Sequence, residues 1–177
     1  MAYFDNNATA PPREVALRAH EVALREDWRN PSSPTIVAAR VRAKLEKTRE
    51  ELAAFLGCAA GSLCFTSGAT EANNLALMGL VGSSPGKIIT STIEHPSLLG
   101  PAEHLKKAGW NLQQISVDSL GILDLDHATT LITPDTQLVS VMLGNHETGA
   151  LQPLKELSAI CRSLGVPLHT DATQAVG

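Results

Sequence analysis

Aromatic residues, cysteines and long apolar runs are all scarce in this chain of 177 residues. Its three cysteines, Cys58, Cys64 and Cys161, form an odd, widely spaced set without a CxxC pair. That pattern supports neither a disulfide framework nor a zinc site, and it predicts reduced thiols in the core. No run reaches the ~18 apolar residues of a membrane span, and the N-terminus has no signal-peptide pattern. We therefore expect a soluble, cytoplasmic protein that does not bind membranes.

The charge balance is mildly acidic, with 18 acidic and 14 basic side chains and a formal net charge of -4. A chain without a basic excess lacks the electrostatic footprint of a nucleic-acid-binding protein, so we expect no nucleic-acid partner. Hydrophobic residues make up 44% of the chain and charged residues 18%, as in ordinary globular proteins. The length suits one domain of about 150 residues or part of a larger enzyme.

Short apolar runs alternate with stretches of helical periodicity along the chain. The predicted helices are 13–28, 35–56, 69–80, 96–108, 123–131 and 152–164, and the predicted strands are 63–66, 87–91, 112–117, 137–143 and 166–170. This alternation predicts an α/β fold, mainly a parallel sheet with helices on both faces. No helix follows the last strand to cover it, so we expect the chain to be the front part of something longer.

Polar residues cluster directly after the predicted strands, where open α/β sheets bind their ligands. The stretch 66–71 offers a glycine turn and a helix N-terminus, which together can cradle an anion. Histidines or carboxylates follow the other strands in the stretches 93–95, 144–149 and 169–174. Each stretch also has a plain reading as a helix cap, a turn or a solvated loop. The spacings in His146-Glu147 and His169-Asp171 do not suit a metal site, so we expect none.

Five spaced segments carry a more specific signal. They read YFDNNAT at 3–9, NPSS at 30–33, FTSGATEANNLAL at 65–77, TIEHPSLL at 92–99 and HTDATQAVG at 169–177. In this order they resemble the motifs of the pyridoxal-phosphate enzymes of the class V aminotransferase group, and within that group the cysteine desulfurases. The resemblance covers nearly the whole chain.

The resemblance implies a role for individual residues. The backbone at Ala69 and the hydroxyl of Thr70 would hold the cofactor phosphate, which agrees with the physics of a helix N-terminus. His95 matches the histidine that stacks on the pyridine ring and relays protons. Asp171 matches the carboxylate that bonds the pyridine nitrogen and keeps it protonated, and Gln174 matches the amide that bonds the phenolic oxygen.

The sequence departs from the family pattern at several positions. His146 stands where the family loop N-N-E-x-G has its second asparagine, and it can still donate one N–H to the cofactor. Thr35 replaces the histidine expected after NPSS, and Ala38 stands where glycine is common. The Schiff-base lysine and the catalytic cysteine of the family are expected beyond Gly177, and none of the three cysteines here stands in that context.

The resemblance further implies the first part of the large domain of a fold-type I pyridoxal-phosphate enzyme, with an N-terminal arm at 1–14 and a partial cofactor-binding domain at 15–177. The implied enzyme is a transferase that converts L-cysteine to L-alanine plus an enzyme persulfide, supplying sulfur for iron-sulfur clusters or thio-cofactors. A homodimer and a sulfur-acceptor protein are the expected partners. Alternatives are another class V activity, such as selenocysteine lyase or a transaminase, and a non-catalytic cofactor-binding or dimerising module. By itself this chain is expected to be inactive.

Overall fold

The computed structural model describes residues 2–176, which form one compact unit ending at Phe65 and another beginning at Thr66. The first unit contains helix α1 (Glu14–Glu26), helix α2 (Ile36–Leu56) and a short 3-10 helix (Ala60–Ser62). Helix α1 has no buried residue, and α2 buries only two alanines. The expected boundary between an arm and a domain near residue 14 stays a prediction.

The second unit alternates helices and strands. Its elements are α3 (Ala69–Leu80), β1 (Lys87–Ser91), α4 (Pro96–Lys107), β2 (Asn111–Ile115), α5 (Leu125–Leu131), β3 (Thr136–Ser140), α6 (Leu154–Ser163) and β4 (Leu168–His169). The four strands form one parallel sheet in the order β2-β1-β3-β4. The predicted parallel α/β fold is confirmed.

Strand periodicity divides the core of this unit between the two faces of the sheet. Ile88 and Leu138 belong to one buried cluster, which includes residues of α3 and α4. Their chain neighbours Ile89 and Val139 belong to the other cluster, which includes residues of α5 and α6. Successive side chains of a strand point to opposite faces, so each strand needs a helical layer on both sides.

The order of the strands places a topological switch between β1 and β3. From β1 the chain passes through α4 to β2 on one side, and from β3 it passes through α6 to β4 on the other. A crevice opens outside the carboxyl ends of the strands at such a point, and ligands of open α/β sheets bind there.

Two sequence-based predictions are wrong. The predicted strand 63–66 does not form: the carbonyl of Leu63 accepts a bond from Arg49 Nη1 at 2.6 Å, and the Arg49 guanidinium lies over the Phe65 ring. Without a neighbouring strand, a short apolar run gains no ladder bonds. Two of the three cysteines, Cys58 and Cys64, are exposed rather than in the core. Cys58 lies between α2 and the 3-10 helix, and Cys64 lies just after the 3-10 helix.

Candidate active site

One cavity lies at the carboxyl ends of β1, β3 and β4, at the switch point of the sheet. Its walls are formed by Ala69, His95, Met142, Gly144, His146, Asp171, Thr173 and Gln174. Five of the six residues singled out in the sequence therefore meet at one site. The sixth, Thr70, follows Ala69 in the first turn of α3 and is exposed.

The amino end of α3 is open on its cavity side. Among residues 2–176, no side chain caps this end of the helix at Gly68. The acidic residue of the first turn, Glu71, is engaged by the preceding turn, since it accepts bonds from Ser67 N at 2.6 Å and Ser67 Oγ at 2.7 Å. The bond from the Ser67 backbone, followed by that from its hydroxyl, lowers the pKa of Glu71. The first N–H groups of α3 and its dipole are thus suited to an anion.

His95 is held by the helix that it begins. Its Nδ1 accepts a hydrogen bond from Ser97 N at 3.0 Å, so the imidazole serves as the N-cap of α4. The ring of His146 meets the His95 ring edge to face, with centroids 4.9 Å apart and planes inclined by 73°. The two histidines form one wall of the cavity.

Asp171 lies just past β4 and carries a well-supported carboxylate. Oδ2 accepts a bond from Asn73 Nδ2 at 2.8 Å, and Oδ1 accepts bonds from Thr173 N at 3.0 Å and Thr173 Oγ1 at 2.5 Å. Burial raises the pKa of Asp171, but the hydrogen bonds from Thr173 and Asn73 outweigh it and leave the pKa below its ordinary value. Asp171 is therefore ionised at neutral pH.

The loop that carries His146 is shaped by the side chain of Asn145. Its Oδ1 accepts bonds from the backbone of Glu147 and Thr148 at 3.0 and 2.9 Å, and its Nδ2 donates to Ile93 O at 3.1 Å. Asn145 therefore ties the loop after β3 to the segment after β1, and this tie brings His146 next to His95.

Sequence reasoning missed Glu94, which links the ends of β1 and β3. Its Oε1 accepts bonds from the Ser91 hydroxyl and from Met142 N, whereas the buried Oε2 has no hydrogen-bond partner among the residues that the structure describes. Burial is the main cause that raises the pKa of Glu94 to about 7; the bonds from Ser91 and Met142 lower it, and the charge of Asp171 adds to the rise. The E-H pair in the sequence was the available signal, but only its histidine was singled out.

Asn73 and Ser97 were also missed. Asn73 is buried. It lies four residues after Ala69 and four residues before the buried Leu77, so it is a polar residue on the buried face of α3. A polar side chain in an otherwise apolar helical stripe was the signal that could have found it.

The two substitutions near NPSS have local structural explanations within the first unit. Thr35 caps α2, because its Oγ1 accepts a bond from Ala38 N at 3.2 Å. Ala38 is 1% exposed. The NPSS turn is held by Arg42, whose Nη1 donates to Pro31 O at 2.7 Å.

Comparison with known proteins identifies the family. The aminotransferase class-V model matches residues 2–177. The chain belongs to the class V aminotransferase family. Among the similar curated proteins, "Cysteine desulfurase IscS" of Dictyoglomus turgidum is 38% identical over 99% of this chain and 45% of its own length. "Cysteine desulfurase NifS" of Azotobacter vinelandii is 36% identical over 99% of this chain and 44% of its own length.

Solved structures also match. A NifS-like protein superposes with a TM-score of 0.94 at 34% identity, over 98% of this chain and 49% of that one. DndA from Streptomyces lividans superposes with a TM-score of 0.85 at 34% identity, over 98% of this chain and 50% of the DndA chain. These likenesses agree with the first part of a fold-type I large domain. The chain spans about half the length of the relatives that it matches.

The cofactor of this family is pyridoxal phosphate. The site fits it: an ionised carboxylate is present for the pyridine nitrogen, and an open helix N-terminus for the phosphate.

Within residues 2–176, no cluster of three or more histidine, cysteine or acidic side chains could hold a metal ion. No helix in that range has both the length and the apolar character to cross a membrane. The roles of the individual site residues stay predictions.

Proposed function

We propose that this chain provides the cofactor-binding part of a pyridoxal-phosphate-dependent cysteine desulfurase. The observation that carries the proposal is the single cavity that joins Ala69, His95, His146, Asp171 and Gln174 at the switch point of the sheet. The names of the similar curated proteins, which are cysteine desulfurases, support this activity within the class V family.

Each residue would act through a chemical group that the structure positions. Bound at this site, pyridoxal phosphate supplies an electron-withdrawing ring. The amino end of α3 at Ala69 and the hydroxyl of Thr70 would hold its phosphate, and the Asp171 carboxylate would keep the ring nitrogen protonated. His95 would move a proton at Nε2, because its Nδ1 is occupied by Ser97 N.

The overall reaction balances without an external oxidant. The Cβ–S bond of L-cysteine breaks and its sulfur joins an enzyme thiol as a persulfide, while the carbon skeleton gains a proton and leaves as L-alanine. The family places the attacking thiol, like the lysine that binds the cofactor, outside these 177 residues. The exposed Cys58 and Cys64 are not assigned this role.

The test is a chimera in which this chain replaces the matching part of the Dictyoglomus turgidum relative. With pyridoxal phosphate and a reductant, we expect alanine and sulfide in equal amounts from L-cysteine, and no turnover by this chain alone. Alanine formed only from selenocysteine would instead indicate a lyase of that class. A folded chimera that does not bind pyridoxal phosphate would favour a non-catalytic module.

We further propose a cytoplasmic homodimer that passes sulfur to an acceptor protein. The three free cysteines support a reducing compartment. Exposed apolar residues on α1, namely Val15, Leu17, Val22 and Leu24, leave surface for further packing. Sedimentation velocity of the chimera tests the dimer, and a monomer at micromolar concentration would contradict it.

A further inference from the structure

Asn73 uses both hydrogens of its amide to bridge two groups of the site. Nδ2 donates to Asp171 Oδ2 at 2.8 Å and to Ser97 Oγ at 2.9 Å. The side chain is 3% exposed, so an unused N–H there would carry a desolvation penalty. The amide is therefore fixed in direction by two acceptors that come from different elements.

The bonds beyond Ser97 also have a direction. A main-chain N–H can only donate, so the bond from Ser97 N makes Nδ1 of His95 an acceptor and leaves the ring proton on Nε2. Ser97 Oγ lies 2.8 Å from the same nitrogen. Since Asn73 already donates to Oγ, the hydroxyl hydrogen is available for Nδ1. Nδ1 has one lone pair, which the N–H and the hydroxyl of Ser97 share in a three-centre bond, and the donors run from Asn73 through Ser97 to His95.

We propose that Asn73 and Ser97 are positioning residues that join the carboxylate of Asp171 to the ring of His95 and confine the exchangeable proton of that ring to Nε2. A proton on Nδ1 would face the N–H of Ser97, so proton exchange runs through the other nitrogen. The use of this arrangement in catalysis rests on the proposed function. The bonds themselves do not, and they can be tested without a cofactor.

The same amide acts on Asp171. Its hydrogen bond is one of those that keep the carboxylate ionised against burial. The buried Asn73 side chain thus influences both Asp171, which is expected at the pyridine nitrogen, and His95, which is expected to stack on the pyridine ring. A substitution at Asn73 should therefore alter both the Asp171 carboxylate and the His95 ring, whereas a substitution at Ser97 should alter the His95 ring.

The first measurement determines the tautomer of His95. The 177-residue chain is labelled with ¹⁵N in its histidines, and the His95 signals are identified by their loss in His95→Asn. At a pH where the ring is neutral, long-range ¹H–¹⁵N spectra are expected to show a protonated Nε2 and an unprotonated, hydrogen-bonded Nδ1. A dominant Nδ1–H tautomer would overturn the proposal, and this result needs no variant in the network.

Four variants then test the connection, with ¹³C detection of the Asp171 carboxyl alongside. Asn73→Leu, of similar volume, should shift the Asp171 titration upward and also move the His95 Nδ1 signal. Ser97→Ala should move the Nδ1 signal alone, and Ser97→Thr should restore it. Asn74→Ala is the matched control, because Asn74 donates to the main-chain carbonyls of Thr70 and Ser97 rather than to the side chains of the network, and neither signal should move.

The pattern across the variants separates coupling from mere packing. If Asn73→Leu leaves both the Asp171 titration and the His95 signal at wild-type positions, the proposal is wrong. If that variant does not fold, Ser97→Ala and its threonine rescue decide: an unchanged Nδ1 signal in Ser97→Ala overturns the proposal. All these measurements are made without cofactor. A negative desulfurase assay would therefore not change their result, and a negative result here would not contradict the proposed desulfurase activity.

Discussion

The rings of His95 and His146 meet edge to face at a centroid distance of 4.9 Å, although they follow different strands. Aromatic pairs in this geometry contribute about 0.5–1.5 kcal/mol beyond their buried area. We expect His146→Asn to lower the free energy of unfolding by about 1 kcal/mol in urea titrations. His104→Asn, on the exposed side of α4, should change it by less than ~0.5 kcal/mol. Equal effects of the two variants would show that the ring contact contributes nothing.

Glu94 gives the folded protein a characteristic pH dependence. Burial, opposed by the bonds from Ser91 and Met142, raises its pKa from 4.5 to about 7 in the folded state. Between these values the folded chain keeps a proton that the unfolded chain has released, so this group makes stability fall as pH rises. The loss reaches about 3 kcal/mol and is complete above the folded pKa.

Glu94→Gln keeps the acceptor for Ser91 and Met142 but cannot ionise. Its stability relative to the wild type should therefore increase from about pH 5 to about pH 8, measured by denaturant unfolding at both. Glu103→Gln, exposed on α4, should follow the wild type at both pH values. A constant difference between Glu94→Gln and the wild type would show that Glu94 does not titrate in this range.

Thr70 is predicted to contact the cofactor phosphate from the first turn of α3. A hydrogen bond to a charged group contributes roughly 1.5–3 kcal/mol, so Thr70→Val should weaken pyridoxal-phosphate binding by about tenfold or more. The dissociation constant is measured by fluorescence titration of the chimera. Thr129→Val removes a hydroxyl from an exposed position of α5 and should bind like the wild type. Unchanged affinity of Thr70→Val would refute the contact.

Asp171→Asn should separate turnover from binding. The neutral amide cannot keep the ring nitrogen protonated, so turnover of L-cysteine should fall far more than cofactor affinity does. The matched control is Asp135→Asn, at an exposed carboxylate near the opposite end of the sheet beside Lys87. Near-normal turnover of Asp171→Asn in the chimera would mean that the carboxylate only organises its own turn through Thr173.

The three cysteines should differ in reactivity. Cys58 and Cys64 are exposed, whereas Cys161 is 1% exposed and burial raises the pKa of its thiol. A thiol reagent at neutral pH should therefore modify two cysteines quickly and the third only after unfolding. Mass spectrometry of the modified peptides measures this. Rapid modification of Cys161 in the folded chain would contradict the packing of α6 against the sheet.

Local sequence patterns were sufficient to predict the bounds of some elements. The bounds of α3 at 69–80 and of β1 at 87–91 agree with the prediction residue by residue. The run at 63–66, LCFT, is more apolar than β1, KIITS, yet it makes no strand, because a strand exists only through its neighbours. Composition within a segment cannot show whether a partner lies beside it.

The sequence by itself determined the alternating α/β pattern, the family resemblance and five of the eight residues that line the cavity, because hydrophobic periodicity and spaced motifs are written in local order. Only the tertiary structure decided the strand order that brings His95 beside His146, and the contact between Asn73 and Asp171, which are 98 residues apart. It also decided the raised pKa of Glu94. Hydrogen bonds and desolvation depend on which side chains packing brings together, and that information is spread over the whole chain.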